Sequence, residues 1–246
     1  MSARKVLLVL LLLAEAAVAR ASGGTVKVLW LGQSAFRLTT VGGKTIVVDP
    51  WLTTNPKTPE RYRSLDALGP VDLVLVTHAH FDHLADAVPL ALKHRAKLYG
   101  PGDLDQTLVT LGVLPAELAP RFNKGGSLVP FPGVRITATH AEHSSTFVWK
   151  NPQTGKEETH PGGEPLGFVI ELENGFRIYH MGDTGLFGDM RLIAEYYKPD
   201  LVLVPIGGNF TMDPRDAAYA ISKLLHPKYA LPMHYGTNPL AQGTPE

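Results

Sequence analysis

The sequence Thr77-His78-Ala79-His80-Phe81-Asp82-His83 determines how the rest of this chain is interpreted. It places three imidazoles and one carboxylate directly after the apolar run 73–76. Alternating side chains at a strand end share one side, so His78 and His80 can converge on one metal ion. The turn that follows can aim Asp82 and His83 at a second ion. The run predicts a two-metal site, and the strand-loop-helix context argues against the alternative of a solvated His-rich loop.

The segments on either side of this run predict an α/β protein. Short β-rich runs at 26–31, 36–40 and 45–48, separated by turn signals such as Gly42-Gly43-Lys44, predict an antiparallel meander. A helix is predicted at 84–91. In the second half, strands are predicted at 134–139, 167–172, 176–180, 201–205 and 229–233. Helices are predicted at 190–197 and 213–225, the latter with Asp213 as N-cap and Pro214 at the first helical position. Both halves combine meanders with β-loop-α units, which favours two sheets packed face to face with helices outside, a four-layer αββα sandwich.

Composition narrows the classes of partner. We expect one domain over residues 22–246, because a chain of 246 residues that is 44% hydrophobic can bury one sizeable core. Lys plus Arg equals Asp plus Glu at 23 each, so there is no broad basic field for nucleic acid. The absence of cysteine excludes disulfides, thiolate metal sites and Cys nucleophiles. The expected partner is a small-molecule substrate, and a homo-oligomer stays open.

Residues 1–21 have the features of a signal peptide. Arg4 and Lys5 precede an apolar run at 6–13, and alanines at 17, 19 and 21 fit the small-x-small cleavage pattern. The run is too short to cross a bilayer comfortably as a helix. We therefore predict removal of the first 19 to 21 residues and export to the periplasm or medium without a stable membrane anchor. The alternatives are a buried N-terminal helix and an uncleaved anchor.

The run 78–83 resembles the H-x-H-x-D-H signature of the metallo-β-lactamase superfamily. Further segments are similar to one branch, the uncharacterised metal-dependent hydrolases, akin to L-ascorbate-6-phosphate lactonases and N-acyl phosphatidylethanolamine phospholipase D. These segments are Gly32-Gln33-Ser34, Asp49-Pro50-Trp51-Leu52, Glu142-His143-Ser144-Ser145, Gly182-Asp183-Thr184, residues 206–212 and Pro232-Met233-His234-Tyr235. The resemblance covers residues 26 to 246 and implies the metallo-β-lactamase sandwich.

The resemblance also implies a ligand set. It assigns His78, His80 and His143 to one ion, Asp82, His83 and His234 to the other, and Asp183 as the bridge. Asp82 and Asp183 are the carboxylates expected to take part in catalysis. Spacing alone does not separate His143 from His140, but Ser144-Ser145 matches the branch and selects His143. Nitrogen and oxygen ligands suit two divalent zinc ions, with manganese or iron as alternatives.

Six further residues are candidates for orienting the ligands or contacting substrate: Asp49, His140, Trp149, His180, Asn209 and Tyr235. Asp49 follows a predicted strand and either accepts a hydrogen bond from a ligand His or simply ends that strand. Tyr235 either polarises the substrate or packs. Gln33 stands where similar proteins often have His, which leaves the role of that position open.

The polar segment 150–165, rich in Pro and Gly, is predicted to be a surface loop. Because it leaves the predicted ligand His143 through Trp149, it is either a lid over the site or a plain connection with Trp149 in the core.

The expected function is hydrolysis of an ester, lactone or phosphodiester by a hydroxide that bridges two metal ions. A pocket rich in Arg or Lys would favour the phosphodiester. The competing hypothesis is a non-catalytic metal-binding or partner-binding module, which predicts lost ligands, whereas all seven are present.

Overall fold

The computed structural model describes residues 24–245, so the predicted signal peptide at 1–21 lies outside the described residues. The first sheet contains five strands in the order β1-β2-β3-β4-β5. These strands are β1 (Lys27–Trp30), β2 (Phe36–Thr39), β3 (Thr45–Val48), β4 (Leu73–Leu75) and β5 (Lys97–Tyr99). The first three form the predicted antiparallel meander, and β4 and β5 continue it in parallel with β3.

The second sheet contains six strands in the order β13-β12-β11-β10-β7-β6. They are β6 (Ser127–Phe131), β7 (Val134–His140), β10 (Leu166–Glu171), β11 (Arg177–His180), β12 (Leu201–Pro205) and β13 (Tyr229–Met233). Strands β11, β12 and β13 run in parallel, while β10 is antiparallel to both β7 and β11. Strands β7, β11, β12 and β13 therefore all end at one edge of this sheet.

Because side chains alternate along each strand, one face of each sheet packs in the central core and the other face packs against the helices. In β3, Ile46 and Val48 face the core between the two sheets, and Val47 faces the helices on the outer side. In β12, Leu203 belongs to the central core and Val202 to the outer cluster of the second sheet. Both faces of these strands are buried, which explains their continuous apolar sequences.

The helices cover the outer faces of the two sheets. Helices α1 (Phe81–Leu84), α2 (Ala87–His94) and α3 (Gly102–Thr110) pack on the first sheet. Helices α4 (Met190–Tyr197) and α5 (Pro214–Tyr219) pack on the second, and α5 continues as a π-helical segment, Ala220–Leu225. Asp213 caps α5 by accepting a hydrogen bond from Asp216 N at 2.8 Å, as predicted. The fold is the four-layer αββα sandwich expected from the sequence.

Two predictions about secondary structure were wrong in detail. The segment predicted as one helix at 84–91 is interrupted between α1 and α2, because Asp86 turns toward the loop that follows β3. Its carboxylate accepts hydrogen bonds from the backbone of Leu52 and Thr53. The segment 150–165 is not a plain loop but contributes a strand to a separate hairpin of β8 (Thr146–Lys150) and β9 (Glu157–Pro161). Its alternating polar side chains fit a hairpin with one exposed face.

Strand β5, helix α3 and strand β6 were not predicted from sequence. Strand β5 has only three residues, and β6 is an edge strand that contains Pro130. Within residues 24–245, no helix is both long and apolar enough to span a membrane.

Candidate metal centre

The ends of four strands bring the predicted ligands together. His78 and His80 follow β4, and Asp82 and His83 lie on α1. His143, Asp183 and His234 follow β7, β11 and β13, which end at the same edge of the second sheet. The centre therefore lies where the loops of the two sheets meet, and each sheet contributes ligands from separate parts of the chain.

The ligand atoms form compact groups. His78, His80 and His143 have ligand atoms within 4.8 Å of one another, as do Asp82, His83 and His234. In the first group, His78 Nε2 and His80 Nδ1 are 2.9 Å apart. These are the two sets that the sequence resemblance implied, and the structure brings each of them together.

Asp183 lies between the two groups. Its Oδ2 is 4.0 Å from His78 Nε2 and 3.7 Å from His143 Nε2 on one side. On the other side it is 3.3 Å from His83 Nε2 and 2.8 Å from His234 Nε2. A single carboxylate therefore faces nitrogen atoms of both groups.

The turn that carries Asp183 has a specific backbone requirement. Gly182 has φ +65°, and a Cβ there would lie 2.5 Å from Leu166 O. Its N–H donates to His180 Nδ1 at 3.2 Å. His180 Nε2 lies 3.0 Å from Ser34 O, so the buried His180 ring is hydrogen-bonded at both nitrogens and supports the Asp183 turn.

Asp49 orients ligands of both groups. Its Oδ2 lies 2.8 Å from His83 Nδ1 and accepts a hydrogen bond from Thr77 Oγ1 at 2.7 Å. Its Oδ1 accepts from Thr77 N at 2.7 Å. Because the Thr77 hydroxyl donates to Asp49, it can accept from His78 Nδ1, which lies 3.1 Å away. With Nδ1 held in this way, both imidazoles can offer Nε2 to a metal ion.

Gln33 holds Asp82, a role that the sequence left open. Its Nε2 donates to Asp82 Oδ2 at 2.9 Å, and its backbone oxygen accepts from His234 N at 3.0 Å. Gln33 is buried and adopts φ +51°, following Gly32 in the same tight turn. Thr77 was not among the site residues predicted from the sequence. Its position directly between an apolar strand and His78 could have indicated its role.

The carboxylates and imidazoles of the centre shift one another's pKa values. Burial opposes ionisation of Asp183, but His234 and His83 outweigh it and hold its pKa well below the ordinary range. Burial also opposes protonation of His234, yet Asp183 and Asp82 raise its pKa to about 9. Within residues 24–245, Asp183 Oδ1, His83 Nε2 and His234 Nδ1 have no hydrogen-bond partner. Buried, unpartnered nitrogen and oxygen donors in this number suit divalent metal ions.

The other candidate residues lie outside the ligand cluster. His140 is partly exposed and pairs with Glu142 at 2.8 Å. Trp149 packs against the outer core and the ring of His160, and Tyr235 stacks on Trp30 with ring centroids 5.4 Å apart. Asn209 is exposed on the loop after β12. For Trp149 and Tyr235 these contacts match the packing alternatives considered above.

A cavity of about 1070 Å³ opens beside the centre. Five of the seven ligand residues line it, namely His80, Asp82, His143, Asp183 and His234. The hairpin contributes Thr146, Phe147, Val148 and Glu157 to its wall, whereas Trp149 is not part of it. The apolar residues that the hairpin contributes to the cavity are therefore Phe147 and Val148, the two residues preceding Trp149.

Comparisons with known proteins show which family this chain is similar to. The sequence model of the β-lactamase superfamily domain matches residues 44–235. A UPF0173 metal-dependent hydrolase of Polaromonas sp. strain JS666 is 63% identical, covering 98% of this chain and 90% of that protein. A relative of the same name from Cupriavidus necator is also 63% identical, covering 92% and 78%. The solved structure of Igni18, a metallo hydrolase from Ignicoccus hospitalis, has a TM-score of 0.73 and 36% identity, covering 89% of this chain and 87% of that one.

Proposed function

This chain belongs to the β-lactamase superfamily and, within it, to the metal-dependent hydrolases, and from that membership we propose that it works with two divalent ions bound in the centre described above. His78, His80 and His143 would hold one ion, and Asp82, His83 and His234 would hold the other. Zinc suits the nitrogen-rich set, with manganese and iron as alternatives. The substrate is an ester, lactone or phosphodiester.

The position of Asp183 Oδ2 is the observation that carries the proposal. It lies within 4.0 Å of His78 Nε2 and 3.3 Å of His83 Nε2, which belong to different ligand groups. A carboxylate shared in this way is suited to bridging two ions. Seven ligand residues are also too many for one ion of tetrahedral or five-coordinate geometry.

The ions supply the nucleophile when bound, because they lower the pKa of a coordinated water, and they act as Lewis acids toward a carbonyl or phosphoryl oxygen. The protein side chains fix the geometry. Asp49 and Thr77 set the tautomers of His83 and His78, and Gln33 orients Asp82 by a 2.9 Å hydrogen bond. His83 and His234 outweigh burial and hold the pKa of Asp82 at about 2, so Asp82 is ionised at neutral pH.

Metal analysis and a substrate screen test this function. Protein stripped with a chelator and reloaded with zinc, manganese or iron is expected to bind two ions per chain. It is also expected to regain activity on members of a panel of lactones, thioesters and phosphodiesters. One ion or fewer at saturation, or full activity after stripping, would contradict the proposal. Glu142→Gln serves as a control variant and is expected to bind two ions like the wild type. Glu142 pairs with His140 near the centre but lies outside the ligand groups.

We also propose that the protein is exported after removal of the first 19 to 21 residues. The support is the sequence itself, with Arg4 and Lys5 before an apolar run and small residues at the cleavage positions. Intact mass of the protein recovered from the cell envelope fraction and the medium tests this proposal. An unprocessed chain found in the cytosol would refute it.

A further inference from the structure

We propose that the cavity beside the metal centre binds an apolar, uncharged chain, so that the substrate is a neutral carboxylic ester or lactone bearing a hydrocarbon group. The inference rests on the proposed hydrolase function and narrows its substrate class. The part of the cavity beside the metal ligands would receive the carbonyl group, and the apolar walls would receive the chain.

The walls are the first observation. Apolar side chains from separate parts of the chain converge on the cavity: Trp51, Phe81, Val88, Val113, Phe147 and Phe210. They come from the loop after β3, helices α1 and α2, the turn after α3, strand β8 and the loop after β12. Sites for small ligands are typically apolar with a small number of polar groups, and this cavity combines these apolar side chains with the metal ligands and uncharged polar residues such as Ser144, Thr237 and Asn238.

The second observation is that several apolar residues lining the cavity are exposed to solvent. Phe81 is 70% exposed, Val148 56% and Phe210 43%. Phe81 makes an edge contact with Trp51 at a centroid distance of 5.3 Å, and Trp51 is itself held by a hydrogen bond from its Nε1 to Thr54 Oγ1. Exposed apolar groups grouped around a cavity mark a surface that gains free energy when a ligand covers it.

Charge is the third observation. Among the described residues that line the cavity, no Lys or Arg occurs, and Glu157 is the one charged side chain besides the metal ligands. Phosphate and carboxylate groups of substrates are usually recognised by Arg or Lys. A charged group placed along this wall would lose hydration without gaining a cationic partner, and Glu157 would repel an anion. The lining therefore favours an uncharged chain over a sugar phosphate or an acidic group.

The test uses p-nitrophenyl esters from acetate to octanoate with the metal-loaded protein. Burial of each added methylene is expected to raise kcat/KM about fourfold until the cavity is filled. A matched pair isolates charge, since the mono-p-nitrophenyl ester of adipic acid is the hexanoate ester with its terminal methyl group replaced by a carboxylate. We expect the adipate ester to be poorer by about tenfold or more, because its carboxylate has no cation to meet.

Val148 offers a variant pair at an exposed position of the wall. Val148→Lys supplies the missing cation and is expected to raise kcat/KM for the adipate ester relative to the hexanoate ester. Val148→Leu keeps the wall apolar and is expected to preserve the parent's order of preference. If Val148→Lys leaves the ratio of the two kcat/KM values at that of the parent, Val148 does not contact the chain, and the assigned wall is wrong.

A binding measurement separates this inference from the proposed function. Calorimetry with the metal-loaded protein compares 2-nonanone with 2-pentanone, two ketones that cannot be hydrolysed, and we expect the longer one to bind on the order of a hundredfold more tightly. Equal affinities together with kcat/KM values independent of ester length would overturn the inference. Cleavage of bis(p-nitrophenyl) phosphate but not of the esters would refute it and leave the hydrolase function standing. Cleavage of neither would contradict the hydrolase function, and the ketones would still decide whether the cavity takes an apolar chain.

Discussion

Replacement of Asp49 by Asn tests how the centre is held together. Asp49 is fully buried and accepts three hydrogen bonds, from Thr77 N, Thr77 Oγ1 and His83 Nδ1, at 2.7, 2.7 and 2.8 Å. The amide of Asn can keep the bond from Thr77 N through its oxygen. Its NH₂ group, however, faces His83 Nδ1 and can only donate. His83 is then expected to carry its proton on Nε2, the atom that faces the centre.

The substitution is expected to change two quantities, the metal affinity and the stability of the apo-protein. The wild-type His83 Nε2 lies 3.3 Å from Asp183 Oδ2, so a proton there occupies the position of a metal-ligand bond. Loss of such an orienting partner typically lowers metal affinity 10-fold to 100-fold, or about 1.4 to 2.7 kcal/mol. Apo-protein stability is expected to fall by about 2 to 3 kcal/mol, because the buried donors that Asp49 accepts from lose a carboxylate oxygen as their acceptor.

Chelator competition measures the affinity of the weaker ion, and urea unfolding of the metal-free protein measures stability. Asp86→Asn is the control, because Asp86 is also buried and accepts three bonds, from Leu52 N, Thr53 N and Thr53 Oγ1. It contacts no ligand His, so we expect a similar stability loss with wild-type metal affinity. Unchanged affinity in Asp49→Asn, or an equal loss of affinity in Asp86→Asn, would refute the orienting role of Asp49.

Three other changes test further parts of the structure. Asp183→Ala is expected to reduce bound metal from two ions to one or none, and elemental analysis showing two would exclude Asp183 as the bridge. Burial raises the pKa of Asp105 to about 8 despite the hydrogen bond from Gly100, against 3.8 for a free carboxyl. Folding therefore favours the protonated form, so this carboxyl's contribution to stability is complete below about pH 4 and is lost as pH rises toward 8. Asp105→Asn is expected to remove that loss and to gain a few kcal/mol over wild type between about pH 5 and pH 8 in urea unfolding. Replacing residues 151–164 of the hairpin by a short Gly-Ser linker is expected to keep metal content but alter substrate preference, and unchanged rates on every ester would reject the lid hypothesis.

Much of the fold could be predicted because buried strands carry strong local signals. Ile46, Val47 and Val48 are apolar on both faces, as the two-sided burial of β3 requires. The Asp213-Pro214 pair marked the start of α5 by its capping chemistry. Other elements have weak local signals, because β5 has only three residues, the edge strand β6 contains Pro130, and β9 is mostly polar. The break after α1 depends on Asp86 contacting a loop 34 positions earlier, which no local pattern reveals.

The candidate site could also be predicted only in part from the sequence. The amino-acid sequence alone determined the ligand types and their grouping around 78–83, because the imidazoles and the carboxylate there are adjacent in the chain. It determined the absence of thiolate chemistry as well, since there is no cysteine. A resemblance to a family supplied His143, Asp183 and His234, whose positions in the sequence say nothing about their distance.

Tertiary structure alone decided which side chains support the ligands and what surrounds them. Asp49 reaches His83, and Gln33 reaches Asp82, across separations of 34 and 49 residues. Phe81, Phe147 and Phe210 line one cavity although they come from α1, β8 and the loop after β12. Hydrogen bonds and apolar contacts act over a few ångströms in space, so only the packing of the two sheets determines which distant residues form them.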